Sequence, residues 1–474
     1  MWDKLKEECG VFGIINHEEA ANMAYLGLYA LQHRGQESAG ITSNDGNQFH
    51  ILKRMGLVAD IFDAENLASL EGNSAIGHVR YSTTGDSRAS NAQPLLITCR
   101  HGEIALAHNG NLINADALRK ELQQKGSIFN SDNDSEVILH LIARSRASSF
   151  EEAIIDALRQ VQGAYSLLFL IQDKVIAVRD PRGIRPLAMG TLTTKDDYNA
   201  KNTATVFSSE TCAFDIFDGT FEREVAPGEM VVVDKEGSVE SRFPFEKQQP
   251  RQCVFEHIYF ARPDGIMFGE CTQNFRDRIG IRLAVESPVA ADLVVPVPDS
   301  GMFAALGFSK ASGIPFSFGL IRNHYVGRTF IEPKQSIRHF GVKIKLNPIK
   351  DTIKGKRVVL VDDSLVRGTT SRKIVKMVRK AGATEVHVRI SAPPTAYPCF
   401  YGIDTPTRSE LVASSHSLEE IRKYIGADSL AYISLQGLFN CLQNSKKEHY
   451  CHACFSGDYP ILFNSEKAIK GEAV

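Results

Sequence analysis

The apolar positions follow two different rhythms along the chain. In the first half they form short runs closed by Gly, Asn or Asp. CGVFGII (9–15), SAGITS, FHILKR, SAIGHVRY and IALAHNG have the length and endings of strands. YSLLFLIQ, KVIAVRD, TATVFSSE and EMVVVDKEG continue the series. Between them, MAYLGLYALQ (23–32), DSEVILHLIARS (134–145) and FEEAIIDALRQV (150–161) read as helices. Strand pairs covered by helices predict an α+β layered domain. SVESRFPFEKQQPRQC (238–253) then breaks the rhythm; it is polar, with prolines at 244 and 250, and reads as a domain crossing. Beyond it strands and helices alternate. DLVVPVPDSG (292–301) is a strand ending in a turn, MFAALGFSKASG a helix closed by Gly313, and FSFGLI a strand. RVVLVDDSLVRGTT runs from strand to loop, SRKIVKMVRKAG is a helix closed by Gly382, and EVHVRISAPP is a further strand. That alternation predicts an α/β fold with a doubly wound parallel sheet. SLEEIRKYIGA and a short helical stretch near 436–443 precede a CHAC turn.

Composition narrows the function classes. At 474 residues the chain is too long for one ordinary core, so two domains of roughly 150–250 residues are expected. The formal net charge of −2 lacks the basic excess of a nucleic-acid binder. The apolar runs are core-strand length, far short of a membrane span. MWDKLKEE has no apolar segment of the secretory kind, and the expected location is the cytoplasm. The nine cysteines are then expected as ligands, nucleophiles or small core residues rather than disulfides.

VVLVDDSLVRGTT (358–370) is the strongest local signal. A buried strand delivers two carboxylates, followed by Ser, Gly and two Thr, then a helix. Backbone N–H groups and hydroxyls at such a strand-to-helix loop can surround a phosphate, with the helix dipole adding to them. Asp362 and Asp363 suit ribose hydroxyls or a divalent cation. Residues 323–348, rich in Arg, Lys and Gly without clear periodicity, read as a lid; Tyr325, Arg328, Lys343 and Lys345 are its candidates for meeting a polyphosphate. The stretch 358–370 resembles the phosphoribosyl-pyrophosphate (PRPP) signature of type I phosphoribosyltransferases. The resemblance assigns Asp362 and Asp363 to the ribose and Mg2+ region, and Ser364, Arg367, Gly368, Thr369 and Thr370 to the 5′-phosphate cradle. It assigns the VPDSG turn, with Asp299, Ser300 and Gly301, to pyrophosphate, Ser300 joining the Mg2+ site.

Cys9 stands at the start of the first strand-like run. LQHRGQESAG (31–40), GHVRYSTTG (77–85), LAHNGNL (106–112) and SDNDSE (131–136) contribute Arg, Asn, Gly and Asp at strand ends. Amide hydrolysis by a cysteine needs a nucleophile, a base, an oxyanion hole and a substrate clamp. Asn109 and Gly110 are candidates for the oxyanion hole. Arg80, with Arg34, is a candidate for the substrate carboxylate, and Asp134 for its ammonium. No histidine is needed as base if Cys9 becomes the first residue, because a free α-amine has a pKa of roughly 7.7–8.0. His33, His78 and His108 are accordingly expected to be hydrogen-bonded structural residues. These blocks, with RDPRGIRPL (179–187) and SSETCAFD (208–215), are similar to the class II glutamine amidotransferase domain of the N-terminal-nucleophile hydrolase fold, an αββα sandwich.

Together the two halves resemble the glutamine phosphoribosylpyrophosphate amidotransferases, a resemblance that YFARPDG (259–265) and FYGIDTP (400–406) extend. It implies glutamine and PRPP as substrates, 5-phosphoribosylamine as product, purine nucleotides as feedback inhibitors and a homotetramer. It places a propeptide at 1–8, the glutaminase domain at 9–240, the phosphoribosyltransferase domain at 253–440 and a tail at 441–474. Cys253, Cys399, Cys451 and Cys454 fall where one subgroup binds a [4Fe–4S] cluster, although four thiolates also suit zinc. GIMFGECTQNFR (265–276) departs from the usual family text, which leaves the role of that stretch open. The rival readings are another class II glutamine amidotransferase, disfavoured by the PRPP motif, and a non-catalytic PRPP or purine-binding regulator, which leaves the glutaminase constellation unexplained.

Overall fold

The computed structural model describes residues 9–81, 88–195, 201–323, 346–405, 407–443 and 446–461. The first half is built on two antiparallel sheets. Gly10–Ile15 lies inside a seven-stranded sheet, between Lys201–Ser208 and Ser74–Arg80. Gly102–Leu112 and Gly163–Ile171 lie inside a six-stranded one. Side chains alternate along each strand, so each sheet buries both faces. Val11, Ile76, Ala107, Leu168 and Val231 belong to the cluster between the sheets. Phe12, Ile14 and Leu28 cover one outer face, with the helix Ala20–Ala30. Leu106, Leu167, Ile138 and Ile154 cover the other, with the helices Glu136–Arg144 and Phe150–Leu158. The result is four layers, and each fully buried Val, Leu, Ile or Phe contributes roughly 1.5–3 kcal/mol.

The polar stretch after residue 238 begins as an edge strand, Val239–Arg242, of the six-stranded sheet. The chain then crosses into the second half. There Leu293–Pro296, Arg357–Asp362, Glu385–Ile390 and Ser429–Tyr432 form a parallel sheet in that spatial order. The helices Met302–Ser312 and Thr369–Lys380 follow the first two strands, and Gly313 (φ +72°) closes the former as expected. FSFGLI does not form the single strand its apolar residues predict. Phe316 makes one parallel bridge to Val294, and Leu320–Arg322 pairs antiparallel with Leu346–Pro348. Gly319 marks the break: it packs so tightly on Val295 that a Cβ there would lie 2.7 Å from that side chain.

The halves share a core. Ala164 and Ile184 of the first belong to the apolar cluster of the second. Cys253 N–H donates to the Ile184 carbonyl at 3.1 Å, and Gln252–Cys253 pairs parallel with Tyr450–Cys451 of the tail. Among the described residues no helix is long and apolar enough to cross a membrane.

Candidate active site

Cys9 directly precedes the strand Gly10–Ile15 and is 8% exposed. Its Sγ donates to the Tyr81 carbonyl at 3.5 Å. Burial pushes the thiol up, and the Tyr81 contact and the charges of Arg80 and Arg34 only partly offset it. A thiol that reacts here therefore needs a proton acceptor at hand. Pairing with Ser74–Arg80 brings the buried Arg80 to the same strand end.

Asn109 is fully buried; its Nδ2 donates to Ser209 Oγ at 3.1 Å, and Oδ1 has no hydrogen-bond partner among the described residues. With the amide turned over, Oδ1 accepts from the Ser209 hydroxyl and Nδ2 is released to serve an oxyanion. Ser209 Oγ also accepts from Val11 N–H at 3.0 Å, tying the oxyanion strand to the nucleophile's strand. Gly110 sits at φ +152°, where a Cβ would come within 2.0 Å of the Ala164 carbonyl oxygen, so only glycine fits. Asp134 accepts from Leu112 N–H at 2.8 Å and Ser135 Oγ at 3.2 Å, and lies 3.8 Å from His108 Nδ1. Burial alone would raise the Asp134 carboxyl; His108 and these hydrogen bonds outweigh it and hold the group below its usual range.

Each of the three histidines is engaged. His33 faces the Ala30 carbonyl and Glu210, His78 donates to the His108 carbonyl, and His108 meets Ser135 Oγ at 2.7 Å. Arg34 reaches the site from behind. Its Nε donates to the Cys9 carbonyl at 3.1 Å, while its other nitrogens hold Glu210 and Glu256. Arg185 also donates to Glu256. Sequence reasoning did not assign Glu210, Glu256, Arg185 or Ser209. SSETCAFD had marked out Ser209 and Glu210 as a block; nothing local distinguishes Glu256.

In the second half, Asp362, Asp363 and Ser364 are buried at the carboxyl end of Arg357–Asp362, where parallel sheets bind ligands. Asp363 N–H donates to Asp362 Oδ1 at 2.9 Å, and Ser364 Oγ to the Asp363 carboxylate. Gly368 (φ +77°) turns the loop into the helix Thr369–Lys380, whose first N–H groups face it. The VPDSG turn closes the adjacent strand; a Cβ on Gly301 would lie 2.2 Å from the Val361 carbonyl oxygen. Asp299, Ser300 and Gly301 thus stand beside the 362–370 loop. Asp299 pairs with Arg322, and Arg367 donates to Glu410 at 3.0 Å. Tyr325, Arg328, Lys343 and Lys345 lie outside the described residues, as do residues 1–8 and part of GHVRYSTTG.

The two halves of the chain meet beside the Cys9 site. Asn111, two residues beyond Asn109, donates from Nδ2 to the Phe400 carbonyl at 3.0 Å. Gly402 packs against Gly110, where a Cβ would lie 3.1 Å from that residue's Cα. FYGIDTP of the second half therefore rests on the oxyanion strand of the first.

Cys253, Cys451 and Cys454 are buried and Cys399 packs against the same core. Cys253 pairs in register with Cys451, the Cys454 carbonyl accepts from Ala396 and Tyr397, and Cys399 Sγ accepts from Tyr401 N–H at 3.3 Å. Burial pushes Cys253 up to about 12, and Cys399 adds to that rise. Burial also raises Cys451 and Cys454, each further raised by its neighbouring thiols. Even so, no group of three or more His, Cys, Asp or Glu among the described residues is set to hold a metal ion. The four thiols border one apolar core.

The glutamine amidotransferase domain model matches residues 78–215. Amidophosphoribosyltransferase 1 (chloroplastic) of Arabidopsis thaliana is 52% identical over 470 residues, 99% of this chain and 81% of the relative. The chain belongs to the amidophosphoribosyltransferase family. Solved structures agree. One described as the allosteric regulatory enzyme of purine biosynthesis superposes with a TM-score of 0.90 at 47% identity, covering 98% of this chain and 99% of its own. Glutamine PRPP amidotransferase from B. subtilis, complexed with ADP and GMP, gives 0.88 at 48% identity over 95% of this chain and 97% of its own. Membership in the amidophosphoribosyltransferase family accounts for a buried cysteine site and a phosphate loop on one chain.

Proposed function

We infer that this protein makes 5-phosphoribosylamine from PRPP and glutamine, releasing glutamate and pyrophosphate, as the first committed step of purine biosynthesis. The observation that carries the reading is one chain with the buried Cys9 site in its first half and the Asp362–Thr370 loop in its second, the halves being packed together where FYGIDTP rests on the oxyanion strand.

Cys9 is the nucleophile. Its sulfur adds to the carboxamide carbon, the oxyanion rests on Asn109 and Gly110, and the C–N bond breaks to release ammonia and leave a thioester, which water hydrolyses to glutamate. Arg80 holds the glutamine carboxylate and Asp134 its ammonium. The α-amine of Cys9 moves the proton, so we propose that residues 1–8 are a propeptide and that the active chain begins CGVFG. Ammonia then attacks C1 of the ribose as the C1–oxygen bond to pyrophosphate breaks. Free ammonia would be protonated in water, so the passage between the sites excludes it. Asp362 and Asp363 offer the hard oxygen ligands that suit Mg2+, and with Ser300 they would hold it; bound there, Mg2+ supplies charge neutralisation at the departing pyrophosphate. Ser364, Gly368, Thr369 and Thr370 cradle the 5′-phosphate, with Arg367 at the rim.

Cys253, Cys399, Cys451 and Cys454 would hold a [4Fe–4S] cluster. Support is the all-thiol donor set, three members buried and the fourth packed against the same core. Bound there, the cluster supplies a structural tie between the tail and the domain junction. Iron and labile sulfide analysis tests it. Purine nucleotides as inhibitors, a homotetramer and a cytoplasmic location complete the reading. Support for the inhibitors is the relative solved with ADP and GMP. The decisive assay supplies glutamine, PRPP and Mg2+ and follows pyrophosphate and glutamate. PRPP-dependent release of both is expected; its absence overturns the reading.

A further inference from the structure

Gln93 and Ser135 have no part in the reaction scheme, yet both touch groups that do. Both are buried, Ser135 completely. The Gln93 side chain bridges two parts of the Cys9 site. Its Oε1 accepts from His108 N–H at 2.8 Å, one residue before Asn109 on the oxyanion strand. Its Nε2 donates to Ser135 Oγ at 3.3 Å. Ser135 Oγ also meets Asp134 Oδ1 at 3.2 Å and His108 Nδ1 at 2.7 Å. The loop that carries Gln93 is itself clamped. Lys53 Nζ donates to the carbonyls on either side, Ala92 at 2.8 Å and Pro94 at 3.1 Å. The Gln93 carbonyl lies against Gly40, where a Cβ would come within 2.3 Å of its oxygen.

The hydrogen bonds of this group run in one direction. A main-chain N–H can only donate, so His108 N–H sets which end of the Gln93 amide faces it, and the NH2 end is left for Ser135. A serine hydroxyl has one proton to give. Given to His108, it would leave Asp134 Oδ1 facing oxygen lone pairs. Given to Asp134, it makes every contact a donor–acceptor pair, with His108 donating to Ser135 from Nδ1. The Asp134 carboxylate then receives one hydrogen bond at each oxygen, from Ser135 at Oδ1 and from Leu112 N–H at Oδ2. We propose that Gln93 and Ser135 are positioning residues that make the Cys9 site select substrates bearing an α-ammonium group. They aim the carboxylate whose remaining lone pairs take that ammonium. Gln93 also ties this aim to the strand that holds Asn109 and Gly110, so the clamp and the oxyanion hole keep one spacing.

The ammonium role of Asp134 proposed above underlies this selection. The test compares, on the full chain, kcat/KM for hydrolysis of glutamine and of glutaramate, which is glutamine without its α-amino group. Ser135→Ala removes the hydrogen bond to Asp134. Its kcat/KM is expected to fall at least about tenfold for glutamine, mostly through KM, and less than about threefold for glutaramate, the size of one lost hydrogen bond to a charged group. Gln93→Glu keeps an acceptor for His108 N–H but replaces the donor facing Ser135 with an acceptor, which draws the hydroxyl proton away from Asp134. It is expected to shift the preference in the same sense. Ser135→Thr keeps the hydroxyl and is expected to recover part of the preference. An undiminished preference for glutamine in Ser135→Ala and Gln93→Glu overturns the proposal. So does an equal fall on both substrates, or a parallel loss of ammonia-dependent synthesis, either of which marks a scaffold only. A parent chain with no preference for glutamine over glutaramate sinks the role of Asp134 itself, and so separates the two failures.

Discussion

The two half-sites are built on opposite principles. Around Cys9 the assigned side chains are buried: Arg34, Arg80, Asn109 and Asp134 are no more than 6% exposed. Around the PRPP loop Asp362, Asp363, Ser364 and Thr370 are buried, while the arginines at its rim stay partly exposed. Arg367 is 33% exposed at its side chain, and the Arg322–Asp299 pair 43% and 49%. The difference follows the chemistry. A thioester and a nascent ammonia must be kept from water, so the first site is fixed before substrate arrives. A highly charged substrate must enter from water, so the second leaves its cations where they can be reached.

The sharpest way to break this division is to remove the nucleophile. Cys9→Ala is expected to lower glutamine-dependent synthesis by more than about 10³-fold while ammonia-dependent synthesis persists. Loss of both rates together would mean that the sites are not separable. The reciprocal change, Asp363→Asn, should depress synthesis from either nitrogen source by about 10²-fold and leave PRPP-independent glutamine hydrolysis near the parent rate. A glutaminase defect of the same size would contradict the division.

The same contrast explains what the sequence could reveal. The PRPP loop is contiguous, so VVLVDDSLVRGTT announces a strand, a phosphate turn and a helix start within thirteen positions. The sandwich and the parallel sheet were legible for a similar reason, since the two apolar rhythms are local. The glutamine site is dispersed, and its members were visible only as separate blocks: Cys9 precedes a strand, Arg80 ends one, Asn109 lies inside one, and Asp134, expected at a strand end, stands in the turn before a helix. The salt-bridge quartet was not. Arg34 and Glu256 stand 222 positions apart, and the need for a buried partner appears only once the chain folds. FSFGLI failed for a packing reason: apolar residues alone do not show that Gly319 must press on Val295.

Burial also sets how the halves answer acid. His78 is pushed down to about 3 by burial in the first half, and His257 to about 3 in the second. A folded pKa below the unfolded value near 6.5 gives stability that is fully present above that value and is lost as pH falls towards the folded pKa, by up to about 1.4 kcal/mol per pH unit for each group. His78→Gln keeps a donor for the His108 carbonyl but removes the titration. Between pH 6.5 and 5 its urea midpoint should fall less than the parent's, by an amount worth about 2 kcal/mol. Equal acid sensitivity would show that His78 takes up its proton without unfolding.

The mildest probe addresses the seam between the two designs. Gly402 lies at φ +106°, and an alanine there would press its Cβ to 3.1 Å from the Cα of Gly110. A side chain at such a φ costs roughly 1–2 kcal/mol, enough to lower the melting temperature by a few degrees without unfolding the protein. The pressure falls on the oxyanion strand, although the substitution sits in the other half of the chain. Gly402→Ala should therefore slow glutamine-dependent synthesis by several-fold and spare the ammonia-dependent rate, since the phosphate loop does not touch this contact. An equal drop in both rates would place the strain on the parallel sheet, and FYGIDTP would then serve its own half alone.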